Sequence, residues 1–231
     1  MTATLVMTLA APLQAWGHRS KYYRRETGRV PTKSGVLGLL AAARGIHRND
    51  QLPNELVSLR FGVRADQPGR IIRDFHTAHT LDGQSLPLTD RYYLADAVFV
   101  VAVEGDAEYL AETAEALKRP VYPLFLGRRS CPPGRRIEGE VIRTSCARAL
   151  VDTDWQAAEW HRRTSPKSAS LDIWREPADD ETGRREFTQD QPISFHVNRR
   201  RHGWRPMLHD TVRKPNPVGK SEVHIPAVLG G

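Results

Sequence analysis

Cysteine is almost missing from this chain: its 231 residues include two, Cys131 and Cys146, and neither lies in a CxxC or Cys/His cluster. A structural zinc site takes about four ligands, so this pattern supplies none, and no cofactor motif is present either. Two scattered thiols do not require a disulfide and are compatible with a reducing cytoplasm. Long apolar runs are also lacking. The stretch 5–13 is mildly apolar, has no basic residues ahead of it, and is far shorter than the roughly 20 residues of a bilayer-crossing helix. It reads as a first β-strand rather than a signal peptide, and a cytoplasmic protein without a membrane role is expected. Neither a GxSxG elbow nor a GxxxxGK[ST] phosphate loop occurs, and spacing alone identifies no Ser/His/Asp triad.

Lysine is scarce as well. Of the 34 basic residues only 6 are Lys, against 28 Arg, and with 27 acids the net charge is +7. Arginine carries a permanent charge on a planar fork that matches phosphate oxygens and stacks on bases. The surplus therefore points to a polyanionic partner, RNA or DNA. A GC-rich genome produces the same surplus without any ligand, so composition sets only a direction.

What is present has a clear order. Residues 3–10 (ATLVMTLA) form a buried-strand pattern ended by Pro12, and a basic stretch follows with Arg19, Lys21, Arg24, Arg25, Arg29 and Lys33 against one acid, Glu26. Ser34 is a candidate N-cap for a helix in which Val36, Leu39, Leu40 and Ala43 share a face, and Gly45 is placed to end it. Residues 60–65 read as a strand, 67–69 (QPG) as a turn, and 66–92 as a projecting hairpin. The valine-rich run 92–103 predicts a central strand, 107–118 a second helix with Leu110, Ala114 and Leu117 on one side, and 121–125 a last short strand.

The resulting β-α-β-β-α-β order predicts an α+β, ferredoxin-like (RRM-like) domain over residues 1–127, with the hairpin as a thumb. A smaller, mostly β or irregular part is expected over 128–231, with strand-like pieces at 193–197 and 222–225. The order alone says little about function, because this fold hosts many.

Two short basic elements are candidate phosphate contacts. Gly127-Arg128-Arg129-Ser130 combines a glycine that permits close approach with two guanidinium groups and a hydroxyl; the plain alternative is a solvated loop. Arg29 with Thr32, Lys33, Ser34 and Gly35 opens the first helix, where free N–H groups attract anions; the plain alternative is capping. Arg73, Phe75 and His76 mix cation, ring and imidazole in the manner of single-strand binders; the plain alternative is Phe75 in the core with Arg73 paired to Asp74 or another acid. Gln14 and Trp16 follow the first strand, where Trp16 suits core packing better than a base platform. His76 and His79 are spaced HxxH, but on no helix and without a third ligand, so no metal is expected. His76, Tyr92, Tyr93 and Lys33 could in principle serve a metal-independent ribonuclease, as could such residues in any protein of this size. Arg199, Arg200, Arg201, Arg205, Arg213, Lys214 and Lys220, with Asp210 the one acid between them, make 199–220 a second basic region, a backbone-contact surface or a partner-binding tail.

Taken together, the segments APLQAWG at 11–17, GRVPTKSGVLGLLAAARGI at 28–46, RDFHT at 73–77, YYLADAVFVV at 92–101 and LGRRSCP at 126–132 resemble the CasD-like subunits of type I-E CRISPR Cascade complexes, within the RAMP superfamily. The resemblance spans residues 3–132 and is slight beyond. It implies a ferredoxin-like domain with a thumb, and a non-catalytic subunit that binds the 5′ handle of the crRNA. It also implies contact with the Cascade backbone subunit and with the large PAM-reading subunit, and target DNA met only through the assembled complex. The RNA-facing residues it implies are Gln14, Trp16, Arg29, Thr32, Lys33, Ser34, Gly35, Arg73, His76, Arg128, Arg129 and Ser130. In type I-C relatives a related protein is the ribonuclease, which makes endoribonuclease activity the alternative.

Overall fold

The computed structural model describes residues 2–17 and 24–220, apart from the side chain of His76. In chain order the strands are β1 (Thr2–Ala10), the two-residue β2 (Leu13–Gln14), β3 (Trp16–Gly17), β4 (Arg24–Arg25) and β5 (Thr27–Gly28), then β6 (Arg60–Gln67), β7 (Arg70–His76), β8 (Thr89–Ala95), β9 (Val98–Asp106), β10 (Gly139–Ile142), β11 (Ser168–Arg175), β12 (Glu186–Ser194) and β13 (Arg201–Pro215). The helices are α1 (Lys33–Ala43), α2 (Asn54–Val57), α3 (Ala107–Lys118), α4 (Cys146–Asp152) and α5 (Glu159–Thr164). The molecule is mixed α/β and sheet-rich. None of its described helices is long and apolar enough to cross a membrane.

One sheet organises the chain, in the order β10-β1-β9-β6-β11-β13-β12 with every neighbouring pair antiparallel. Strands β1 and β9 are mostly apolar on both faces, and the reason is visible in the packing. Leu5, Met7 and Leu9 of β1 and Phe99, Val101 and Val103 of β9 meet α1 and α3 in the main core. Their alternate neighbours Val6, Val100 and Ala102 meet Cys146, Ala149 and Leu150 of α4 on the other side. Successive strand residues point to opposite faces, so a strand covered twice must be apolar throughout.

The ion pair Arg64–Asp66 lies fully buried beside α4, at 2.6 Å. Arg64 also donates to the carbonyls of Leu150, Thr153 and Asp154, the groups that the end of α4 leaves without helical partners. Asp66 accepts from the Gln156 N–H at 2.6 Å, so that a buried charge on each side is fully hydrogen-bonded.

Three expectations from sequence need correction. The run 92–103 is not one strand: β8 ends at Ala95, Asp96 turns the chain with φ 57°, and β9 begins at Val98. Aspartate tolerates that left-handed conformation, and its N–H is held by the Pro12 carbonyl. Residues 121–125 form no strand. Flanked and interrupted by Pro120 and Pro123, they lie across the end of α1, where the N–H groups of Val121 and Tyr122 donate to the carbonyls of Ala43 and Ala42. The strand beside β1 is supplied later, by β10, with Val141 opposite Leu5. The helix cap is Thr32 rather than Ser34: Thr32 is the extended residue, and its hydroxyl accepts from the Gly35 N–H at 3.2 Å.

The hairpin is present as β7 paired antiparallel to β8. Beyond the expected first part, β11 pairs with β6, so that β11, β13 and β12 continue the same sheet. The expected piece at 222–225, together with Arg19 and Lys21, lies outside the described residues.

Candidate nucleic-acid interface

Several short stretches, distant in sequence, meet around Gly127. Ala15 N–H donates to the Leu126 carbonyl at 3.1 Å, and Trp16 pairs with Gly28 in the β3–β5 ladder. Gly127 has φ +89°, and a Cβ added there would sit 1.6 Å from the Ala15 carbonyl oxygen, so only glycine fits. The helix start is tied in through Trp16, whose ring lies 3.0 Å from where a Gly35 Cβ would stand.

Within this junction the predicted residues separate into two groups. Gln14 and Trp16 are wholly buried. Gln14 Nε2 donates to the Ala97 carbonyl at 2.7 Å, and its Oε1 accepts from Trp16 Nε1 at 3.0 Å. Their polar groups are engaged with each other and with backbone, which places them beneath the surface as supports. Ser34 is buried too. Lys33 is 3% exposed; its Nζ bonds both oxygens of Glu176 at 3.0 and 3.1 Å, and burial pulls its pKa down while the Glu176 carboxylate opposes that. Its backbone N–H donates to Asp190 Oδ2 at 2.7 Å. A carboxylate of the chain itself therefore occupies the helix start where a phosphate was anticipated.

The exposed group is Arg29, Arg73, Arg129 and Ser130. Arg73 lies opposite Tyr92 across β7–β8 and pairs with Asp90 at 2.9 Å on the surface. Arg128 is half-buried and acts as a clip: Nη1 donates to the Tyr92 carbonyl at 2.9 Å, and Nη2 to those of Arg25 and Glu26 at 2.7 and 3.1 Å, with the guanidinium 5.0 Å from the Tyr93 ring centre. Ser130 Oγ lies 3.4 Å from the Tyr93 hydroxyl. Thr32 and Gly35 are partly exposed at the helix entrance. His76 ends β7, opposite Thr89; its side chain is outside the described residues.

Sequence reasoning missed two contributors. Arg24 and Arg25 form β4, which runs beside β8 with Arg24 opposite Asp90 and Arg25 opposite Arg91; both are exposed, and Arg24 lies over the Tyr92 ring at 5.0 Å. Their adjacency in a stretch with one acid was the available signal. The second contributor is the buried quartet of Lys33, Glu176, Asp190 and Arg205, in which Arg205 binds Asp190 at 2.6 and 3.0 Å. With partners 143 and 157 residues from Lys33, nothing in the sequence could have connected them.

The arrangement is thus an arginine rim (Arg24, Arg25, Arg29, Arg73, Arg129) on a rigid, internally hydrogen-bonded base, suited to holding a phosphate backbone. Among the described residues no group of three or more His, Cys, Asp or Glu side chains is arranged for a metal ion.

The chain is similar to several CRISPR-associated proteins. A family model described as CRISPR-associated protein (Cas_Cas5) matches residues 4–208. The CRISPR system Cascade subunit CasD of Escherichia coli (strain K12) is 38% identical over 152 residues, covering 57% of this chain and 68% of that protein. A chain of a solved CRISPR RNA-guided surveillance complex superposes with a TM-score of 0.71 at 29% identity, covering 94% of this chain and 93% of the other. A crystal structure of a Cas protein does so with a TM-score of 0.69 at 33% identity, covering 92% and 95%. With the family model matching residues 4–208, the chain belongs to the Cas5 family of CRISPR-associated proteins.

Proposed function

We propose that this chain is a non-catalytic subunit of a type I-E CRISPR surveillance complex that binds the 5′ handle of the crRNA. The observation carrying this reading is the arginine rim around the Gly127 junction, in a chain that resembles a Cascade subunit. Arg24, Arg25, Arg29, Arg73, Arg129 and Ser130 meet the RNA, with Thr32 and Gly35 at the helix entrance and His76 at the hairpin end. Gln14, Trp16, Lys33, Ser34 and Arg128 hold these contacts in place. Phosphate contacts provide most of the affinity, and splayed bases are read in part.

The strands β10-β1-β9-β6 with α1 and α3 form a ferredoxin-like unit, and β7–β8 is its thumb. That hairpin leaves Ile71, Phe75, Leu81, Leu86 and Leu88 exposed, a surface suited to the adjacent backbone subunit. The remaining partner is the large PAM-reading subunit. A structural rather than catalytic role is supported by the state of the candidate acid–base groups: Lys33 is buried on Glu176, and Tyr93 is 4% exposed.

Co-expression with the neighbouring Cascade subunits tests the assignment: RNA sharing a common 5′ end should co-purify, and its absence overturns the reading. Purified protein with repeat RNA in EDTA should leave the RNA intact, whereas a single specific cut would establish the ribonuclease alternative. Arg129→Ala should weaken handle binding by about 1–2 kcal/mol and flatten its salt dependence without changing stability. Arg128→Ala should lower both affinity and stability.

A further inference from the structure

A second surface lies at the β12 edge of the large sheet, on the hairpin of β12 and β13. Phe187 and Trp204 are 64% and 59% exposed there. The register sets Phe187 opposite Pro206 and Thr188 opposite Arg205. Arg205 points inward, to Asp190 and to the Phe61 ring 5.2 Å away. Its chain neighbours Trp204 and Pro206 therefore point outward, and Phe187, opposite Pro206, joins them. Two large aromatic rings thus share the sheet face turned away from the buried quartet at the start of α1.

The hairpin itself carries more cations than acids. Residues 184–201 carry Arg184, Arg185, Arg199, Arg200 and Arg201 against Glu186 and Asp190. Asp190 is buried on Arg205, which leaves Glu186 as the exposed acid of the segment. Arg184 and Arg185 enter β12 at one end of the hairpin and Arg201 begins β13 at the other, while Arg199 lines the cleft beside α2 and Arg200 lies near Arg48. Unpaired aromatic faces flanked by cations suit a single-stranded nucleic acid, whose bases stack on rings while its phosphates meet arginines. Arg184, Arg185 and Arg201 are exposed against Glu186 along the hairpin itself, a balance that favours a nucleic acid over a protein partner.

We propose that the outer face of β12–β13 is a second single-stranded nucleic-acid site, centred on Trp204 and Phe187 and separate from the arginine rim at Gly127. It does not depend on the handle assignment, because it uses other residues, on the face of β12–β13 turned away from the buried quartet at α1.

The test uses the full chain with labelled, unstructured oligouridylate and oligodeoxythymidylate, read by fluorescence anisotropy at fixed salt with excess handle RNA present. Both oligomers should bind alongside the handle RNA, or one in preference, which identifies the source strand as RNA or DNA. Trp204→Ala with Phe187→Ala should weaken that binding about tenfold or more, and Trp204→Phe should retain most of it. Arg184→Ser with Arg185→Ser should flatten its salt dependence. Handle binding should be unchanged in all of these variants. Unaltered oligomer affinity in the double aromatic variant, or displacement of the oligomers by handle RNA, overturns the proposal. Loss of a co-expressed protein subunit with oligomer affinity intact also overturns it and makes the face a protein-docking surface. Failure of the handle assignment would appear separately, as handle binding indifferent to Arg129→Ala.

Discussion

Asp190→Ala removes one carboxylate that serves two buried partners. Arg205, with its side chain 6% exposed, loses both hydrogen bonds to Asp190 and keeps only Glu176, at 3.8 Å. The Lys33 N–H, at the first turn of α1, loses its acceptor at 2.7 Å. Solvent cannot make good the loss at that depth, and stranding one half of a buried ion pair costs about 3–5 kcal/mol. Asp190→Asn keeps an acceptor and the shape while losing the charge, so about 1–3 kcal/mol is expected. Asp190→Leu combined with Arg205→Met removes both charges together and should recover most of the loss, because well-packed apolar pairs replace buried ion pairs at little net cost. Urea unfolding followed by circular dichroism measures all three, with midpoints compared at constant slope. An Asp190→Ala variant within about 1 kcal/mol of the parent, or a double variant no better than the single, would show that β12 is not anchored to α1 through this quartet.

Further expectations concern other parts of the molecule. Gly127→Ala forces a Cβ into the Ala15 carbonyl and should destabilise by about 3 kcal/mol or more; a parent-like thermal midpoint would contradict the junction geometry. Hydrogen bonding to Arg175 holds the Glu181 carboxyl at about 2, down from 4.5. The folded value is the depressed one, so this stabilisation is complete above about pH 4.5 and is lost as pH falls through about 2. The stability gap between the parent and Glu181→Gln should close over that window, and a gap independent of pH would exclude the pairing. Cys131 and Cys146 are buried and free, and burial pushes both thiols up, so neither should react with iodoacetamide at pH 8 until the chain is unfolded. Rapid native labelling, read by mass spectrometry, would contradict that burial.

The local pattern was legible wherever one element's own residues decide its conformation. The strand 3–10, the helix ended by Gly45, the helix 107–118 and the hairpin at 66–92 follow from periodicity, capping and turn chemistry, and each was read within a few residues. The exposed arginines Arg29, Arg73 and Arg129 were also found by residue type and spacing, since surface position needs no partner to be inferred. Apart from the cap, which moved locally from Ser34 to Thr32, what failed had a distant partner. The strand expected at 121–125 was claimed by the carbonyls of Ala42 and Ala43, and the long run at 92–103 was divided by a turn held on Pro12. Lys33 looked like a phosphate ligand until Glu176 and Asp190 reached it from the C-terminal strands. Sequence by itself determined the main strands and helices of the first 120 residues, and that the surface is cationic, because those properties are carried by neighbouring residues and by net charge. Tertiary structure decided which of the cations are free to bind. An ion pair is a contact in space, and here its members stand more than a hundred residues apart.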